Sequence, residues 1–178
     1  MTVTTIDRDG PWRKALVEIR KIRSGGPEVA IGFQGSTGNA PHKNGKGASV
    51  ADIATFNEFG TRTIPQRSFM VSTMDENRRQ LLRMNRNLYF KIAAGTMTTE
   101  RALEIMGIRI KSLIQKKITD LRDPPNAPST IRRKRKRSTN RRIGVEGGDS
   151  GVNPLIDTGQ MRQSVSYKVR MRRLGGLV

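Results

Sequence analysis

Cysteine is absent from the 178 residues, which excludes a disulfide framework and any thiolate metal site. A single histidine, His42, stands without ligand partners near it in sequence, and reads as a surface residue. Aromatic residues make up 4% of the chain and hydrophobic residues 34%, so part of it is not core. No apolar run reaches the roughly 18 residues that a membrane span needs. The opening MTVTTIDRDG lacks the charged-then-apolar order of a signal peptide; the expected product is cytoplasmic, with no membrane partner. Acidic residues are also scarce, 15 against 34 Lys and Arg, for a net charge of +19. Residues 1–123 carry 21 basic and 12 acidic side chains, whereas 124–178 carry 13 and 3. A charge so concentrated favours anionic partners but says nothing about fold.

The length suits one α+β domain over 1–178, able to bury a core unaided. Trp12, Ala15, Leu16, Ile19 and Ile22 recur at helical spacing after Pro11 and predict a core-facing helix over 11–23. Glu28–Phe33 alternates as a strand. Residues 35–48 read as a mobile Gly-rich loop. It is not a phosphate-binding loop, since Gly45-Lys46 is followed by Gly47 where Ser or Thr is required. Ser49 and Asp52 predict the capped start of a short helix that Gly60 ends in the left-handed conformation. An extended segment then runs through Pro65 to Phe69. Three of the five phenylalanines (Phe56, Phe59, Phe69) flank this turn, which suggests that it is pinned into a core.

Thr73 and Glu76 have the spacing of a capping box for a helix running to about Ala94, with Leu81, Met84, Leu88 and Ile92 on one face and Gly95 as its stop. Thr98 caps a second long helix over 99–122, which Asp123-Pro124-Pro125 ends. Residues 124–153 read as a Pro/Gly-flanked flexible arm carrying Arg132, Arg133, Lys134, Arg135, Lys136, Arg137, Arg141 and Arg142. Asp157-Thr158-Gly159-Gln160 reads as a cap for a helix through Ser164. Val165, Tyr167, Val169 and Met171 then alternate as a strand pairing with the first. The expected fold is α+β: a small antiparallel or mixed sheet packed against two longer helices, with a flexible basic arm.

Three functional readings follow from the residues. Leu155-Ile156-Asp157-Thr158-Gly159 matches the signature of aspartic proteases, in which two such aspartates share a proton; Gln160 and the helical segment after it depart from that pattern. Nothing else points to an enzyme, a metal or a cofactor. The basic run can neutralise phosphates and bind DNA non-specifically, but no aromatic residues accompany it for base stacking. The third reading is an assembly subunit, and it rests on the order of three motifs.

These are Asn57-Glu58-Phe59-Gly60-Thr61 followed by Ile64-Pro65-Gln66-Arg67-Ser68-Phe69; Pro128-Ser129-Thr130-Ile131-Arg132-Arg133-Lys134; and Pro154-Leu155-Ile156-Asp157-Thr158-Gly159-Gln160-Met161-Arg162. In that order they resemble the neck, tail-completion or head–tail joining proteins of tailed bacteriophages, also described as virion morphogenesis proteins. The likeness spans roughly residues 28–170; Ser68 stands where proline is common, and the dense run after Ile131 is a second departure. The resemblance implies a non-enzymatic virion structural protein forming a homo-oligomeric ring at the head–tail junction. The implied partners are the head connector or adaptor and the tail terminator or tail tube, with a tail-terminator role as the alternative. From composition and charge, the Gly-rich loop and the basic arm are expected to be ordered by neighbours, acidic protein or DNA. Glu58, with Arg62 and Arg67 as possible ion-pair partners, is expected to stiffen a turn that presents an inter-subunit surface.

Overall fold

The computed structural model describes residues 10–23, 26–43, 47–139 and 153–170, and side chains of residues 137–139 excepted. In chain order the elements are α1 (Gly10–Arg23), β1 (Glu28–Phe33), α2 (Gly35–Asn39), α3 (Val50–Phe59), α4 (Met70–Ala93), α5 (Thr99–Asp120), α6 (Pro128–Thr139), α7 (Gln160–Ser164) and β2 (Val165–Arg170). β1 and β2 pair into a two-stranded antiparallel sheet that packs against helices, a small α+β fold. Ser166 donates its hydroxyl to the Gly32 carbonyl at 3.2 Å, and Arg170 lies 3.6 Å from Glu28. Both contacts agree on one antiparallel register.

Two compact units can be distinguished. Of the described residues, one unit takes those up to Ala30, those of Asn77–Arg109 and those from Tyr167; the other takes Ile31–Glu76 and the described part of 110–166. The first unit has a core of Leu88, Ile92 and Ala102, with Met84, Met97, Ile105 and Met106 packed around it. The stripe expected on α4 supplies Met84, Leu88 and Ile92, whereas Ala102, Ile105 and Met97 were not expected. Gly107 lets α5 approach the sheet, because a Cβ there would meet the Tyr167 ring at 2.5 Å.

α1 departs from its expected packing. Trp12 is 60% exposed and Ile22 is also exposed, while Ala15 and Glu18 are buried. The helix contacts its unit through its middle turns, and its deepest polar residue has a partner there. Glu18 accepts the Thr99 N–H at 2.8 Å and the Lys21 ammonium at 2.6 Å. The carboxylate therefore satisfies an N–H at the first turn of α5, which has no partner within its own helix. Thr98 supplies the second cap as expected, its hydroxyl accepting the Arg101 N–H at 3.2 Å.

Two loops read from composition contain helix. Within the Gly-rich stretch, residues 35–39 form α2, where Gly38 sits so close to Phe33 that a Cβ would lie 2.5 Å from its carbonyl carbon. A Pro41–Ser49 bridge closes the rest, and residues 44–46 lie outside the described residues. The basic arm is the larger correction. Its first part is α6, opened by Pro128 at a position where a missing N–H costs nothing. Thr130, Ile131 and Lys134, three and four residues apart, are its half-buried positions. Arg and Lys are good helix formers, and charge density alone concealed this periodicity. The remainder of the arm, 140–152, lies outside the described residues.

Gly95 ends α4 with paired bonds, Thr96 N–H to the Lys91 carbonyl at 3.0 Å and Gly95 N–H to that of Ile92 at 2.9 Å. Its φ of 70° is left-handed, and a Cβ would collide with the Pro11 carbonyl oxygen. Gly95→Ala should therefore destabilise the protein by at least about 1–2 kcal/mol in urea unfolding. An unchanged midpoint would contradict the close approach.

Candidate functional site

The second unit contains most of the motif residues, and their backbone explains why. Ser49 and Asp52 form the expected capping box on α3. At its end Gly60 has φ 76° and ψ 171°, a positive-φ conformation close to exclusive to glycine but not the left-handed helical one expected. The next four residues form a tight turn rather than an extended run. Thr61 N–H bonds the Ile64 carbonyl at 2.8 Å, and the Thr61 hydroxyl accepts the Ile64 N–H at 3.0 Å. The chain thereby doubles back, so that Arg67 N–H reaches the Asn57 carbonyl at 2.7 Å.

Glu58 is 5% exposed and reaches across this turn to the start of α4. One carboxylate oxygen accepts the N–H groups of Phe69 (2.8 Å) and Met70 (2.9 Å). The other accepts the Val71 N–H (3.0 Å) and the Ser68 hydroxyl (2.8 Å). The side chain is thus the N-terminal cap of a helix it does not belong to. Glu58 accepts three backbone N–H groups and the Ser68 hydroxyl rather than forming an exposed ion pair with Arg62 or Arg67. One expectation falls with this. The Thr73–Glu76 box does not open α4, which has already begun at Met70: the Thr73 hydroxyl bonds back to the Phe69 carbonyl, and Glu76 pairs with Lys117 at 2.5 Å. Burial pushes the Glu58 carboxyl up, but its four donors outweigh burial and hold it below the usual carboxylate range.

Arg67, 6% exposed, joins the first motif to the chain that leads into the second. Its Nε donates to the Pro124 carbonyl at 2.8 Å and its Nη2 to that of Pro125 at 2.9 Å. Burial lowers its pKa, yet a guanidinium stays charged in any such setting. The third motif is tied in by Asn153, a buried residue to which sequence pattern gave no weight. Its amide nitrogen donates to the carbonyls of Ile118 and Thr119 (3.2 and 2.8 Å), and its amide oxygen accepts the N–H groups of Leu155 and Ile156 (2.8 and 3.0 Å). Lys134 of α6 donates to the carbonyls of Asn153 and Ile156 at 2.8 and 2.7 Å. A lone Asn before a Pro-Leu pair carries no periodic signal, which is why it was missed.

These ties bring all three motifs to one cavity of about 300 Å³. Asn57, Ile64, Pro65 and Arg67 come from the first, Thr130, Arg133 and Lys134 from the second, and Leu155, Asp157 and Met161 from the third. Thr158 and Gly159 also line it, as does His42, which is half-buried here rather than a surface residue. Leu155 and Met161 are buried, whereas Asp157 and Arg162 are exposed. The expected Asp157 cap on α7 is replaced by Gly159, left-handed at φ 75°, without a side-chain cap.

The remaining predicted residues divide sharply. Phe69 is fully buried and meets Phe33 edge-on at 6.1 Å between ring centres. Phe59 is 70% exposed and Phe56 is also exposed, so two of the three phenylalanines face outward, not into a core. Arg132, Arg133, Arg135 and Lys136 are exposed on α6. The Arg137 side chain, Arg141 and Arg142 lie outside the described residues. Asp157 is the one carboxylate among the lining residues, and no group of three His, Cys, Asp or Glu side chains with metal-binding geometry occurs among the described residues. No family model, curated protein or solved structure matches the chain.

Replacing Glu58 by Gln keeps its shape but leaves one acceptor oxygen for four donors. The expected loss is about 2–3 kcal/mol in urea unfolding, and a loss below about 0.5 kcal/mol would show that the cap is dispensable. Glu18 is also held below the usual range, burial raising it and Lys21 and Thr99 more than compensating. A depressed carboxylate contributes stability that is present above its unfolded pKa, about 4.3, and is lost as pH falls through the folded value. Wild-type stability should therefore fall with acid below about pH 4.3, and Glu58→Gln should flatten that fall.

Proposed function

We propose that this chain is a structural subunit of a tailed-bacteriophage neck, a non-enzymatic protein forming a homo-oligomeric ring that joins or completes the tail at the head connector. The observation that carries the reading is the division of labour within the first motif. Asn57, Glu58, Gly60, Thr61, Arg67 and Phe69 are each used within the subunit, and Ile64 and Pro65 wall the cavity. Phe59 and Gln66 are the exceptions, and Phe59 is the aromatic one, held on a braced turn with most of its ring exposed. A rigid turn that presents an aromatic residue to solvent suits a protein–protein contact, where aromatic residues are enriched. The meeting of three dispersed motifs at one cavity supports reading them as a single assembly element. The neighbours in this reading are the connector or adaptor on one side and the tail terminator or tail tube on the other; its site of action is the virion.

A tail-terminator role would use the same ring and differ in its neighbour. The protease reading has less support, since an exposed Asp157 stands at the cavity without a second carboxylate among the lining residues.

Phe59→Asp tests the assembly reading without touching the turn's internal bonds. Because the ring is exposed, folding stability should change by less than about 0.5 kcal/mol, while ring formation and joining of heads to tails are lost. Wild-type joining by a folded Phe59→Asp protein would overturn it. Glu58 is unsuited to this test, because its removal takes acceptors from the start of α4 and would confound folding with assembly.

A further inference from the structure

We infer that the outward face of α6 is a docking surface for double-stranded DNA, contacting phosphates without reading sequence. The inference stands on α6 alone and does not depend on the neck reading. At 100° per residue, Arg135, Arg132, Lys136 and Arg133 fall within an arc of about 160° spanning about 6 Å of helix axis. All four are exposed, Arg133 at the edge of the arc where it also borders the cavity. Lys134 points the opposite way and anchors the helix through the Asn153 and Ile156 carbonyls. The cationic face is therefore presented by a helix fixed at its back, so ordering it is not left to the partner.

Charge selects the class of partner, and composition narrows it. From Pro124 to Val145 the chain has no carboxylate and no aromatic residue. Among the described residues of α6, the exposed face offers no large apolar side chain either. Arginine is common in protein–protein interfaces too, but their cores are also built on aromatic and apolar anchors, and this face has none. Protein–DNA interfaces are strongly positive and polar. Single strands are gripped by stacking on aromatic rings, which are missing, so the duplex is the better fit. Arg and Lys alone, with no Asn or Gln on the described outward face, supply phosphate contacts rather than a base-reading set.

The test measures binding of the full-length protein to a mixed-sequence duplex of about 25 base pairs by fluorescence anisotropy, across a salt series. The Arg132→Ala, Arg133→Ala, Arg135→Ala, Lys136→Ala variant should flatten the slope of log K against log salt by about 3 to 4. It should also lose roughly a hundredfold or more in affinity at low salt. Alanine favours helix at these exposed positions, and circular dichroism checks that the fold is kept. A matched variant lacking the exposed Arg78, Arg79, Arg83 and Arg86 of α4 should lose less than half as much. Lysine at 132, 133 and 135 should preserve the slope. Equal losses from the α4 and α6 variants would mean diffuse attraction and overturn the assignment. So would tighter binding to single-stranded DNA, or equal binding to polyglutamate of matched charge, which would point to an acidic protein. If DNA binding is lost while Phe59-dependent joining persists, or the reverse, the two readings separate.

Discussion

The arrangement depends on one requirement, that backbone N–H groups at a buried helix start must find acceptors. α4 and α5 meet it in the same way, with a glutamate sent from an earlier helix. Glu58 at the end of α3 serves α4, and Glu18 in the middle of α1 serves α5. An anion at a helix N-terminus is also favoured by the helix dipole. In a chain of such strong positive charge, two of the few carboxylates are thus buried to hold backbone rather than to balance arginines. This links elements far apart in sequence by bonds that are directional as well as attractive. It also explains how a chain with so small an apolar fraction fixes the geometry of its turns.

The same logic extends to the cations. Arg67 and Lys134 are inward-facing and bond to main-chain carbonyls in segments where regular structure leaves such groups unpaired. Asn153 does both jobs at once, donating at the C-terminal end of α5 and accepting from the chain that enters the third motif. Side chains here stand in for the strands that a larger sheet would have provided.

How much of this could be read from sequence depended on whether the cause was local. β1, the Ser49–Asp52 box, the Thr98 cap, the Gly95 stop and the apolar stripe of α4 follow from neighbours within a few residues, and all are present. The α+β architecture also followed, because β2 alternates so regularly, but alternation alone leaves antiparallel pairing open against a mixed sheet. The misreadings share a different cause. Thr73 and Glu76 have the spacing of a cap, but Glu58, twelve residues before Met70, already fills that role. Phe59 was counted toward the core because aromatic residues usually are, and the turn at Gly60 directs it outward. The basic run hid a helix because its half-buried positions are spaced correctly but occupied by Thr130, Ile131 and Lys134, a weakly apolar set. The convergence of the motifs depends on Asn153 and Arg67, whose roles exist only in three dimensions.

The single inward lysine of α6 has a consequence for how this segment can change. In a run of six consecutive basic residues, side-chain chemistry barely distinguishes one position from the next, yet the helix makes their phase matter. Substitution among Arg and Lys on the outer arc leaves the surface field almost intact. Inserting or deleting one residue between Pro128 and Lys134 would rotate the remainder by about 100°. The amine would leave its two carbonyls, and an arginine of different reach would face them. Composition can therefore drift at these positions while length cannot, so the run behaves as a keyed part rather than as a tail of charge.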